Sequence, residues 1–232
     1  MKLTIMICCF NEKRTILKAI EDAKAINVDK EIIIIDNCST DGTKEILQGL
    51  KDDRELQIVL HSKNMGANYS GREGASLARG DYFYSPGADL EYKMSDVCRM
   101  IEEMEGRGLD AVFGSRLLDR KGVSKIGLIK ERPYWLGTII TTFLINLFYR
   151  RDFTDIIGTK LVKISILKGF DRKEKGPAAG ELEVVSKLCK IGCKIKEIPV
   201  WYKPRSQKEG KTIRAFDIFP AIWAILRVKL FG

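Results

Sequence analysis

Five short apolar runs constrain this chain more than any other feature. LTIMICC (3–9) and EIIIID (31–36) are nearly continuous hydrophobic stretches, the pattern of strands covered on both faces. LQIVL (56–60), DYFYS (81–85) and LDAVFG (109–114) repeat the signal. Between the runs the period becomes helical. Thr15 to Ile26 sets Ile16, Ala19, Ile20, Ala23 and Ile26 on one side, and Met94 to Gly106 carries Val97, Met100, Ile101 and Met104 at three- and four-residue spacing. Asp41 to Leu50 and Asn68 to Arg79 fill the remaining intervals as helices. This alternation predicts an α/β fold, an open and mostly parallel sheet flanked by helices. Such sheets bind ligands outside the C-terminal ends of their strands, so the residues after each run are the site candidates.

Past residue 115 the pattern changes. Arg116 to Arg132 is basic and reads as loop. YWLGTIITTFLINLFY (134–149) has no charge, is flanked by Lys130, Arg132, Arg150 and Arg151, and is short for a bilayer span. It reads either as a buried helix or as one lying at a membrane interface. A helix follows at about 179–190 and a strand at 195–202. Residues 213–232 mix basic, aromatic and aliphatic side chains around Pro220, which fits a packed C-terminal helix or a peripheral membrane anchor. With 232 residues, 45% of them hydrophobic, the chain can bury one core, so we expect one domain over 1–212 and an amphipathic tail over 213–232.

The net charge of +9 is concentrated late, with ten Lys or Arg against three acids in residues 190–232. A basic end favours an anionic partner. Nucleic acid is not expected, because no aromatic platform is interleaved with the basic residues. The six cysteines lack zinc-ligand spacing, and Met1 to Thr4 leads directly into a strand without a signal peptide. Both features suit a reducing, cytoplasmic setting.

Three strand ends carry chemistry. The first run closes in Cys9-Phe10-Asn11-Glu12 and the second in Asp36-Asn37-Cys38-Ser39-Thr40-Asp41-Gly42-Thr43. Asp36 can accept hydrogen bonds from a ribose or base, or belong with Ser39, Thr40 and Asp41 to a turn-and-cap cluster. Neither turn has the glycine spacing of a dinucleotide or Walker loop. Lys63 and Arg72 can meet phosphate or remain solvated. After the fourth run, Asp89 and Glu91 stand on a turn permitted by Pro86 and Gly87. Two carboxylates there suit Mg2+ or Mn2+, which take oxygen ligands and complete their shells with substrate phosphates and water.

Together, CCFNE (8–12), IIIIDNCSTDGT (32–43), HSKNMGANYSGREGASLARGDYFYSPGADLE (61–91), GSR (114–116), TDIIGTKLVK (154–163), ELEVVSKL (181–188) and IGCKIKEIPVWYKPR (191–205) resemble the GT-A-fold glycosyltransferases of family 2. Within that family the order of the pieces is most similar to the polyprenyl- or dolichyl-phosphate sugar synthases. The resemblance implies a GT-A fold and transfer of a hexose from a GDP- or UDP-linked sugar, with metal assistance, to a lipid phosphate at the cytoplasmic face of a membrane. It implies that Asn11 and Glu12 line the nucleotide pocket, with Phe10 and Ala88 beside them, and that Asp36 meets the base or ribose. Asp89 matches the last Asp of the family's Asp-x-Asp motif and is expected to hold the metal with Glu91. Glu183 matches an acceptor-side carboxylate, while Arg116, Arg205 and Lys211 match the residues that clamp phosphate. Gly87 stands where the motif's first Asp is expected, and Lys208 and Gly210 replace a Gly and a Ser between Arg205 and Lys211.

An ionised phosphate acceptor needs no strong base. A sugar hydroxyl acceptor, the alternative, needs a carboxylate base such as Glu183 or Asp155. A third reading is a non-catalytic GT-A domain that only binds nucleotide.

Overall fold

In the computed structural model, which describes residues 2–120, 125–132, 135–170, 180–205 and 218–231, the apolar runs lie side by side in one sheet. β1 (Leu3–Cys9), β2 (Lys30–Asp36), β3 (Leu56–Leu60) and β4 (Tyr82–Tyr84) pair in parallel in the order β3-β2-β1-β4. β6 (Lys160–Lys163) then runs antiparallel between β4 and β5 (Ala111–Ser115), and β7 (Ile195–Pro199) closes the sheet parallel to β5. The fold is thus α/β with a mostly parallel sheet, as the period changes require.

Alternation along β1 divides the core into two layers. Leu3, Ile5, Ile7 and Cys9 face α1 (Ile16–Lys24), α2 (Thr43–Gly49) and α4 (Asp96–Arg107). Met6 points to the other side with Ile33, Ile35 and Phe83, against α3 (Ala67–Leu77) and α7 (Ile164–Gly169). Beyond β4 that second layer continues as α6 (Trp135–Tyr149), α8 (Gly180–Lys190) and α9 (Ile218–Phe231), packed over Ala111, Phe113 and Val162.

Two expectations needed correction. The basic stretch 116–132 is not all loop, since α5 (Lys125–Glu131) forms within it. β6 and α7 were not foreseen, because KLVK offers only two apolar residues and its antiparallel register depends on both neighbours. Of the two readings of residues 213–232, helix α9 packs on α8 and α6 through Ala224, Ile225 and Val228, while its other face is exposed. Among the described residues no helix is long and apolar enough to cross a membrane.

Candidate active site

The loops after β1 and β2 are fastened to each other by side chains that hold backbone N–H groups. Asn11 has a left-handed backbone (φ 59°) and its Oδ1 accepts from Thr40 N at 2.8 Å. In return Ser39 Oγ accepts from Asn11 N at 2.8 Å, Thr43 Oγ1 from Glu12 N at 2.9 Å, and Asp41 from Lys13 N at 3.0 Å. Beneath this clip Asp36 is fully buried, and its carboxylate accepts from Ser39 N at 3.1 Å and from Ser39 Oγ. Asp36 therefore faces into its own turn, with the Cys9 thiol alongside. Phe10 and Asn11 are exposed at the rim, and Ala88 is buried in the core below.

Next to this clip, three carboxylates meet one guanidinium. Glu12 accepts from Arg205 Nη1 at 2.9 and 3.1 Å and from Thr15 Oγ1 at 2.6 Å. Asp89 Oδ2 lies 3.5 Å from Arg205 Nη2. Glu91 Oε1 accepts from the backbone N of Arg205 at 2.8 Å and lies 3.9 Å from its Nε. Arg205 reaches the cluster because the chain after β7 is pinned there, through Lys203 N on Glu91 O at 2.9 Å and the Tyr92–Tyr202 bridge. Residues from the ends of β1, β4 and β7, far apart in sequence, so form a single site.

Gly87 has φ +80° and Leu90 φ 56°, which coil the turn so that Asp89 and Glu91 face Arg205. A Cβ at residue 87 would meet nothing closer than Asp89 Oδ1 at 3.7 Å. The missing first carboxylate thus reflects the sign of φ, which favours glycine, rather than lack of space. Burial pushes the Asp89 carboxyl above its usual range, and the neighbouring Glu91 and Glu12 charges push the same way against Arg205. Such crowding of negative charge fits a divalent cation. Among the described residues no three acids, His or Cys converge at metal-ligand spacing. Of the two expected metal ligands, Glu91 Oε1 is engaged by the Arg205 backbone N, whereas Asp89 Oδ2 lies 3.5 Å from Arg205 Nη2.

The other expected site residues occupy varied places. Arg116 is 5% exposed and pairs with the fully buried Asp155, through its Nε at 2.6 Å and Nη2 at 2.9 Å. Its guanidinium packs against the rings of both Trp135 and Tyr202, 4.7 and 5.0 Å from their centroids. It faces Asp155 rather than an open cleft. Burial alone would raise the Asp155 carboxyl, but the Arg116 charge and hydrogen bonds hold it below the usual range. Glu183 pairs with Lys187 one turn along α8 and joins α8 to α9 through Arg227, each at 2.8 Å. Lys63 is exposed and Arg72 half-buried. Lys211, with Lys208 and Gly210, lies outside the described residues.

Sequence reasoning passed over Glu181. It shares the first turn of α8 with Glu183, but two residues along a helix point to nearly opposite faces. Glu181 has a 51% exposed side chain and pairs with Lys160 of β6. Only the phase of the helix would have separated the two. A surface cavity of about 540 Å3 opens at the N-terminal ends of the strands around Lys2, Glu31 and Arg79, at the opposite edge from this chemistry.

Residues 4–170 match the family described as Glycosyl transferase family 2. An uncharacterized protein of Methanocaldococcus jannaschii is 27% identical over 201 residues, covering 83% of this chain and 84% of its own. The low-salt glycan biosynthesis hexosyltransferase Agl6 of Haloferax volcanii is 25% identical over 98% of this chain. The dolichol-phosphate mannosyltransferase of Pyrococcus furiosus is 24% identical over 98%. The chain spans only 53% and 64% of those two relatives. Among solved structures, glucosyl-3-phosphoglycerate synthase from Mycobacterium tuberculosis with Mn2+, UDP and phosphoglyceric acid superposes at TM-score 0.66, with 15% identity, over all of this chain and 79% of that one. S. aureus TarS with UDP-GlcNAc superposes at TM-score 0.66 with 15% identity, over all of this chain and 67% of that one. At these identities the structural likeness speaks for the GT-A fold.

Proposed function

The chain belongs to glycosyl transferase family 2, and from that premise we propose that it transfers a sugar from a nucleoside-diphosphate donor, GDP- or UDP-linked, to a hydroxyl of a glycan acceptor. The observation that carries this reading is the convergence of Glu12, Asp89 and Glu91 on Arg205 at the C-terminal ends of the strands. Such a site pairs a fixed cation with carboxylates able to hold a second, which suits a diphosphate leaving group. Mg2+ or Mn2+, held by Asp89, would offset the charge that develops on the departing diphosphate. Arg205 can then turn its guanidinium from the carboxylates toward phosphate oxygens.

The choice of acceptor rests on the cations and on one base. Arg116, expected to clamp an acceptor phosphate, is committed to Asp155. A hydroxyl acceptor instead needs a proton acceptor. Asp155 is buried in its ion pair and Glu183 is bound to two cations, whereas Glu181, paired with Lys160, has a 51% exposed side chain, and we assign the base to it. In this mechanism Glu181 takes the hydroxyl proton as the oxygen bonds to the anomeric carbon. The bond from that carbon to the diphosphate breaks with its electron pair, and the nucleoside diphosphate leaves. The Agl6 relative, named for glycan biosynthesis, points the same way.

The second reading is a polyprenyl- or dolichyl-phosphate acceptor at the cytoplasmic face of a membrane. It is favoured by the dolichol-phosphate mannosyltransferase relative. A panel of nucleotide sugars with Mn2+, offered oligosaccharides and polyprenyl phosphate in parallel, separates the readings. Product on the oligosaccharide supports ours, and product on the lipid alone replaces it. Nucleotide binding without transfer to any acceptor would support the non-catalytic alternative.

A further inference from the structure

We propose that the outer faces of α6 and α9 together form a docking surface for an anionic lipid bilayer. The polarity of α6 is inverted for a helix facing water. It buries Thr138, Thr141 and Thr142 with Trp135 and Ile145. Outward it presents Leu136, Ile140, Phe143 and Leu147, an i, i+4, i+7, i+11 stripe in which Phe143 is 57% and Leu147 59% exposed. Its inward hydroxyls are satisfied, Thr141 Oγ1 donating to Gly137 O at 2.8 Å and Thr138 Oγ1 accepting from Arg116.

The neighbouring α9 repeats the arrangement. Ala224, Ile225 and Val228 face the core, while Phe219, Trp223, Leu226 and Leu230 form the outer stripe, with Phe219 67% and Trp223 59% exposed. Scattered exposed hydrophobics are ordinary, but here the two stripes lie on helices that pack against each other.

Charge identifies the occupant. Neither helix contains an acid. Where the two helices end, basic residues gather. Lys229 Nζ donates to Phe148 O at 2.9 Å, Lys190 Nζ to Val228 O at 3.0 Å and Arg151 Nη2 to Cys193 O at 2.9 Å, with Arg150 and Lys194 exposed nearby and Asp152 the adjacent exposed acid. An apolar face with a cationic end suits insertion at the headgroup boundary of an anionic leaflet. Leu136, at the opposite end, follows Trp135, whose ring packs against the Arg116 guanidinium and edge-on to Tyr202, which bridges to Tyr92 next to Glu91. The surface therefore leads from the basic end to the candidate active site, and would hold that site close to the bilayer whichever acceptor is used.

The test uses the full chain, without donor, in flotation with vesicles of phosphatidylcholine alone or mixed with phosphatidylglycerol. Association with the mixed vesicles is expected, and a blue shift of Trp223 emission in a Trp201→Phe background. Leu147→Glu and Trp223→Glu should each weaken association at least about tenfold, the scale of one buried apolar side chain. Leu17→Glu, at an exposed site on α1, should not. Circular dichroism checks that each variant is folded. Absent binding, equal binding by the variants, or a reversible dimer abolished by Trp223→Glu would each overturn the proposal, the last by assigning the face to a second copy. Because no transfer is measured, failure here is distinct from failure of the proposed activity.

Discussion

Replacing Asp155 by Ala removes the carboxylate paired with a guanidinium that is 5% exposed, and strands a buried charge. Arg116 loses bonds from its backbone N at 3.0 Å, its Nε at 2.6 Å and its Nη2 at 2.9 Å, keeping Thr138 and two aromatic faces. Breaking such a pair costs about 3–5 kcal/mol, a large part of the ~5–15 kcal/mol that stabilises a domain. The exposed Lys18–Asp22 pair, at 2.6 Å, is the control, and its removal should be close to neutral. Urea denaturation at neutral pH measures both. The pair should also show in acid. Because the folded Asp155 carboxyl is held below its usual range, its contribution is complete above the unfolded carboxylate pKa and fades as pH falls through the folded one. The wild-type advantage over Asp155→Ala should therefore shrink on acidification. A loss below about 1 kcal/mol at neutral pH would refute a buried, paired Arg116.

Other expectations concern single side chains. Glu181→Gln should lower kcat by about 10²–10⁴ with little change in donor binding, whereas Glu183→Gln should affect stability more than turnover, as steady-state kinetics and denaturation together will show. Arg205→Gln should cost transfer about 10²–10³-fold, measured as initial rates at saturating donor, because its guanidinium is the cation within reach of the three carboxylates among the described residues. A Gly158→Ala variant should fold poorly, since its Cβ would run into the carbonyl oxygen of Gly114 on β5, and a thermal midpoint equal to wild type would contradict that close approach.

The parts of the fold that could be read in advance were those with strong periodicity. IIIID had to be a strand covered on both faces, and the Ile and Ala spacing after Thr15 had to be a helix on that sheet. β6 escaped because its burial is set by β4 and β5 on either side rather than by its own four residues. The strand ends pointed to Glu12 and Asp89, and the similarity of YKPR to family sequences pointed to Arg205. Their convergence depends on the chain after β7 folding back over the β4 turn, a long-range event without a local signal. Arg116 and Asp155 were legible as charges but not as partners, because 39 residues separate them. The outer stripe of α6 was visible as an uncharged run, yet only the threonines turned inward revealed which side met the core.

The central claim is that Asp89, beside Arg205, holds the cation that binds the donor diphosphate. Calorimetry of UDP and GDP binding, with and without Mn2+, for wild type and Asp89→Asn tests it most directly. Mn2+ should strengthen wild-type binding of the preferred nucleotide, and that gain should vanish in Asp89→Asn while metal-free binding persists. An equal Mn2+ gain in both proteins would contradict the account.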